Sequence, residues 1–122
     1  MAKTIMIVDD SASLRQVVSI SLRGAGYEVI EGCDGTDALK KLTGQKIHLI
    51  ISDVNMPNMD GISLVKAVKA MPAYKFTPIV MLTTESQDSK KQEGQAAGAK
   101  AWVTKPFNPP QLLAVVQKLV LP

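Results

Sequence analysis

Short apolar runs recur along the chain, and each ends in polar or turn-forming residues. Thr4-Ile5-Met6-Ile7-Val8 stops at Asp9-Asp10, and Ile47-His48-Leu49-Ile50-Ile51-Ser52 stops at Asp53. Such near-continuous runs of β-formers predict strands covered on both faces, as in parallel sheets, rather than half-exposed ones. Tyr27 to Glu31 alternates in strand fashion, Pro78 to Leu82 predicts a fourth strand, and Ala99 to Thr104 a fifth.

Helical spacing fills the intervals. Leu14, Val17, Val18, Ile20, Ser21 and Leu22 fall close to a 3.6 period, and Gly24-Ala25-Gly26 supplies a glycine stop. Thr36 to Leu42 predicts a short second helix closed by Gly44. Ile62, Leu64, Val65, Val68 and Met71 anchor a third, which ends near Pro72. Ser86 to Gly98 predicts a fourth helix with only Ala96 and Ala97 to bury and Gly94 in its interior. A large buried aliphatic contributes about 1.5–3 kcal/mol and an interior glycine costs about 1 kcal/mol, so this helix is expected to be the weakly held one. Asn108 caps a last helix with Pro109 at its first position and Leu112, Leu113, Val115, Val116, Leu119 and Val120 on its apolar face.

Five strands alternating with five helices predict an α/β fold, a parallel sheet with helices on both faces. Loops at the carboxyl ends of the strands then converge, which is where open α/β sheets bind ligands. Asp9, Asp10, Asp53, Thr83 and Lys105 all fall at that edge.

Composition narrows the picture further. At 122 residues and 13.1 kDa, one domain spanning residues 1–122 is expected. The net charge of +3 is spread along the chain and gives no nucleic-acid-binding stripe. Neither a signal peptide nor a membrane-spanning stretch is present, so a cytoplasmic protein is expected, and the single cysteine, Cys33, fits a reducing compartment as a small structural residue. His48 has no second histidine with which to share a metal and reads as structural or exposed. Met56 and Met59 read as loop packing.

Three carboxylates gathered at one edge repel one another, so such a site either raises their pKa values or binds a cation. All-oxygen ligation with open positions suits Mg²⁺ better than zinc. A lysine and a hydroxyl facing the same place supply charge compensation and a hydrogen-bond donor for a phosphoryl group, with Asp53 as a nucleophile that forms an aspartyl phosphate. Asp10 could instead cap the first helix, but capping leaves the adjacent Asp9 and Asp53 unexplained.

These residues resemble the receiver domain of two-component response regulators over essentially the whole chain. Asp9-Asp10 is similar to the family's acidic pair, Asp53 to its phosphoacceptor, Thr83 to its switch hydroxyl, Lys105-Pro106-Phe107 to its Lys-Pro signature, and Met56-Pro57-Asn58-Met59-Asp60-Gly61 to its characteristic loop. The resemblance implies a flavodoxin-like sheet of order 2-1-3-4-5. It implies Mg²⁺ held by Asp10, Asp53 and the backbone carbonyl of Asn55, with Asp9 acting through metal-bound water and Lys105 pairing with phosphoryl oxygens. Trp102 stands where the family has the Tyr or Phe that moves behind the switch hydroxyl, and Asn55 and Glu85 stand where the family tunes dephosphorylation.

The implied function is a switch rather than an enzyme: a phosphoacceptor that assists its own phosphorylation and dephosphorylation, served by a sensor histidine kinase. Because the chain ends at Pro122, just after the last helix, the output is expected from a partner protein. The loop, Asn55 and Glu85 are most similar to those of a chemotaxis regulator acting on the flagellar motor switch, with a phosphatase as a further partner and no role for nucleic acid or membrane. Its binding face is expected over the fourth helix, fifth strand and last helix. The alternatives are a stand-alone receiver in another phosphorelay or second-messenger pathway, an aspartate-dependent phosphatase and a flavodoxin-like redox protein. The phosphatase is disfavoured by the lack of an Asp-x-Asp after the first strand, and the redox protein by Asp9-Asp10, which would repel a flavin phosphate.

Overall fold

The computed structural model describes residues 3–83, 96–105 and 108–120. In chain order these form β1 (Thr4–Val8), α1 (Ala12–Gly24), β2 (Glu28–Gly32), α2 (Gly35–Lys41), β3 (Leu49–Asp53), α3 (Gly61–Lys69), β4 (Ile79–Thr83), β5 (Ala101–Thr104) and α4 (Pro109–Leu119). The strands pair in parallel in the order β2-β1-β3-β4-β5, the flavodoxin-like arrangement that the resemblance implied. Four helices lie among the described residues. The fourth of the five predicted, over 86–98, falls mostly outside them, and only Ala96 and Ala97 are seen as helical. Its weak anchoring therefore lies outside the described residues, as do Thr84, Glu85, Pro106 and Phe107.

Strand periodicity divides the core in two. Met6, Val8, Ile50, Ile79 and Met81 face one side, where they meet Ala38 of α2 and Leu64, Val65 and Val68 of α3. Ile5, Ile7, Leu49, Ile51, Val80, Leu82 and Val103 face the other, against Val18 and Leu22 of α1 and Leu112 and Val116 of α4. Both faces of β3 and β4 are thus sealed, which explains why those strands carry apolar runs without alternation.

Each helix begins on a side-chain cap. Ser11, Asp34, Asp60 and Asn108 accept from the backbone N–H three residues on, and Pro109 follows Asn108 where its missing N–H is harmless. Ser11 rather than Asp10 caps α1, which removes the capping explanation for Asp10. The apolar face expected for α1 is narrower than its sequence period: Val18 and Leu22 are buried, but Val17 and Ile20 are 52% and 62% exposed and Ser19 is buried instead. A 100° step per residue carries positions 17 and 20 off the stripe defined by 18 and 22, which are a full turn apart.

Candidate functional site

Each strand of the central trio delivers its last side chain to the same edge. Asp9 follows β1 directly and is buried; Asp10 beside it is exposed; Asp53 closes β3. Carboxylate oxygens of Asp9, Asp10 and Asp53 all lie within 4.8 Å of one another, close enough to hold one ion. The backbone explains this convergence. Val8 pairs with Ser52 and Asp53 with Leu82, so the ends of β1, β3 and β4 are in step. Gly61 lets α3 begin against the end of β3, its N–H donating to the Val54 carbonyl at 2.8 Å.

The electrostatics of the cluster are partly compensated. Lys105, just past β5, places its ammonium 3.2 Å from Asp53 Oδ1 and 3.5 Å from Asp9 Oδ2. The contact with Asp9 is an ion pair without hydrogen-bond geometry, since Asp9 Oδ2 is a buried oxygen lacking a hydrogen-bond donor among the described residues. Asp9 Oδ1 accepts from the Ser11 N–H at 2.8 Å, and the Asp9 carbonyl accepts from the Arg15 guanidinium. Burial raises the pKa of Asp53, the negative charge of Asp9 raises it further, and Lys105 opposes both. Asp53 Oδ1 accepts from the Val54 N–H at 2.9 Å as well as facing Lys105, whereas Oδ2 has no donor among the described residues. Among the described residues, one oxygen is therefore tied and the other is not.

The donor set fits a hard cation. Among the described residues, three carboxylates, one with an unpartnered buried oxygen, outnumber the single lysine that faces them, and no His or thiol adjoins them to favour zinc.

Of the other predicted residues, Thr83 ends β4 fully buried, and its hydroxyl has no partner among the described residues. Its carbonyl accepts from the Lys105 N–H at 2.6 Å, which couples the two backbones at this edge. Asn55 is exposed and borders a shallow recess with Asp10, Met56, Pro57 and Asp60. Trp102 pairs with Met81 across β4 and β5 and packs, half-buried, against the core beneath α2 and α3. Met56 and Met59 pack against the same core, and His48 accepts the Thr4 N–H on Nδ1, both as expected. Cys33 is exposed. Glu85 lies outside the described residues.

Two supports went unread in the sequence. Asn58, with φ of 68°, donates from Nδ2 to Asp34 Oδ2 at 2.8 Å, tying the loop after β3 to the cap of α2. Asparagine in a turn sequence tolerates that conformation, which is the signal that marks it. Met59 presses on Gly35, where a Cβ would come within 2.7 Å of its side chain.

The response regulator receiver domain model matches residues 5–117. Protein PilG of Pseudomonas aeruginosa is 33% identical over 113 residues, which span 93% of this chain and 84% of that protein. The structure of the chemotaxis response regulator CheY4 of Vibrio cholerae is 52% identical with a TM-score of 0.92, covering 98% of this chain and 99% of that one. The receiver domain of the sensor histidine kinase PA1611 of Pseudomonas aeruginosa, solved with a magnesium ion coordinated in its active site cleft, is 26% identical with a TM-score of 0.89, covering 98% of each chain.

Proposed function

The chain belongs to the response regulator receiver domain family, and on that footing we propose that it is a phosphorylation-activated switch that accepts a phosphoryl group on Asp53 and signals by binding a protein partner in chemotaxis. One observation carries the chemistry: Asp53 holds one oxygen against Lys105 and the Val54 N–H while its other oxygen has no donor among the described residues. Oδ2 of Asp53 attacks the phosphorus of a phosphohistidine on a sensor histidine kinase. The new O–P bond forms as the P–N bond breaks, and the imidazole leaves with the electron pair and takes a proton.

The chain's own groups assist at each point. Lys105, already 3.2 Å from Asp53, compensates charge on the transferred phosphoryl oxygens. Asp10, Asp53 and the backbone carbonyl of Asn55 would hold Mg²⁺, with Asp9 acting through metal-bound water, and the ion would supply positive charge to the phosphoryl oxygens and offset the mutual repulsion of the carboxylates. The Thr83 hydroxyl, buried and unpartnered among the described residues, is the donor that turns toward the phosphorylated side chain, with Trp102 packed on the neighbouring strand to report the change. Likeness to CheY4 over nearly the whole of both chains supports the chemotaxis assignment, with the flagellar motor switch as target.

Adding Mg²⁺ and a small acyl phosphate while following intact mass and Trp102 fluorescence tests the site. One phosphoryl group is expected on wild type and none on Asp53→Asn; equal labelling of the two would sink the assignment. In the parent cell, removing the gene should abolish switching of swimming direction without affecting growth, and wild type but not Asp53→Asn should restore it. Normal switching in the deletion strain would place the protein in another pathway.

A further inference from the structure

Opposite the acidic edge, at the amino ends of β4 and β5, lies a hollow of about 630 Å³ lined by lysines together with Phe76, Pro78, Gly98 and Leu119. Lys69 of α3, Lys75 from the loop before β4, Lys100 from the residue before β5 and Lys118 of α4 all border it, and no carboxylate lines it among the described residues. Phe76 stands at its rim 87% exposed, an unusual placement for a ring of that size. We propose that this hollow is a binding site for a nucleotide bearing two or more phosphates, independent of the phosphoryl chemistry at the acidic edge.

Lysines in the last turn of a helix ordinarily balance the helix dipole, and that accounts for Lys69 and Lys118. It does not account for Lys75 and Lys100, which lie in loops. Nor does it account for the way Lys69 is held: its ammonium donates to the carbonyls of Lys75 at 3.2 Å and Thr77 at 2.6 Å, which fixes one cation in the wall and leaves its third N–H for a ligand. Burial and the charge of Lys100 both lower the pKa of Lys69, the mark of cations crowded without an anion between them.

The ligand's chemistry follows from the lining. Four lysines around one hollow match the compact charge of a di- or triphosphate better than carboxylates strung along a peptide, and lysine is a common phosphate-binding side chain. The Lys75 ammonium sits 5.7 Å from the centroid of the Phe76 ring, which leaves the ring's opposite face for a planar base. Gly98, with φ of 116°, brings bare backbone to the same hollow beside the Lys69 stem, where a side chain would crowd it. The hollow's volume lies in the range of small-molecule sites.

Isothermal titration of the full chain with ATP, with EDTA present to keep cations off the acidic edge, tests this. One saturable site is expected, with tripolyphosphate binding about fivefold or more weaker because it cannot stack. Phe76→Ala should remove that difference, Lys100→Gln with Lys118→Gln should abolish both interactions, and Asp53→Asn should bind ATP as wild type does. All these side chains but Asp53 are exposed, and thermal melts verify that each variant folds. Absence of saturable ATP binding, unchanged ATP affinity in Phe76→Ala, or loss of binding in Asp53→Asn would each overturn the proposal. So would tighter binding of a glutamate-rich peptide or of anionic phospholipid vesicles than of ATP.

Discussion

Single residues around the acidic edge have been placed by close contact rather than by charge alone. A Cβ on Gly61 would lie 2.1 Å from the carbonyl oxygen of Asp53, so alanine there must push the end of β3 away from α3. Overpacking against backbone costs about 1–3 kcal/mol. Gly61→Ala is therefore expected to lower the unfolding free energy measured in urea by that much, with a lower midpoint, and to slow labelling of Asp53 as well. A midpoint and labelling rate equal to wild type would show that the helix can slide. Asn58 offers a cleaner partition. Asn58→Gly keeps the left-handed backbone and loses only the bond to Asp34, worth about 0.5–1.5 kcal/mol, while Asn58→Ala adds roughly 1–2 kcal/mol of backbone strain. Equal stability of the two variants would refute the strain. At the far edge, His48 is held below its ordinary 6.5 by burial first, then by the charges of Lys3 and Lys46, and its Nδ1 accepts the Thr4 N–H, a bond that only the unprotonated nitrogen can make. The folded chain keeps the imidazole neutral where the unfolded chain takes a proton. Stability is thus expected to fall as pH drops below about 6.5 and to level off below the folded value. The slope of unfolding free energy between pH 7 and 5 should flatten in His48→Asn; an unchanged slope would assign it to other groups.

At the scale of elements, a buried ring helps pin the connection between α3 and β4. Tyr74 is buried, its hydroxyl donates to the Gln45 carbonyl at 2.9 Å and accepts from the Gly44 N–H at 2.9 Å. Tyr74→Phe leaves both backbone groups without that partner, a loss of roughly 1–3 kcal/mol. Hydrogen exchange should then quicken at Gly44 and leave β3 unaffected; uniform acceleration would mean global unfolding rather than a local latch. This tie joins positions 30 apart, and no periodicity announces it. The strands and their carboxylates were legible because burial on both faces and a chain stop at Asp9 and Asp53 leave a local pattern. The same logic failed for α1, where Val17 and Ile20 share the apolar composition of Val18 and Leu22 but not their direction. What a side chain meets in another element, as with Asn58 and Asp34 or Met59 and Gly35, depends on how elements pack and is silent in local spacing. The lysine hollow escaped notice for that reason too: Lys69, Lys75, Lys100 and Lys118 look dispersed along a chain whose topology gathers them.

Over the whole molecule the fold sorts charge between the two edges of the sheet. Every helix among the described residues ends in a base, Arg23, Lys40 and Lys41, Lys66 and Lys69, and Lys118, and parallel winding sets these ends at the amino edge. Asp9, Asp10, Asp34, Asp53 and Asp60 lie at the carboxyl edge, so an overall charge of only +3 conceals two opposed patches. Repulsion within the acidic patch is relieved by Lys105 for two carboxylates at most, and Asp10 has no ion pair among the described residues. A divalent cation bound by the folded chain alone should raise stability logarithmically with its concentration, by about 2.7 kcal/mol at a hundredfold excess over the dissociation constant. For a domain of this size, with an unfolding entropy of about 0.26 kcal/mol/K, that corresponds to an increase of about 10 °C in melting temperature. Sodium chloride at matched ionic strength screens the patch without entering it and should reproduce little of the effect. Removal of the cation by EDTA should reverse it, and Asp10→Asn should shift the concentration needed upward. A melting temperature that follows ionic strength alone, whatever the cation's valence, would mean that the three carboxylates form a screened surface and not a site.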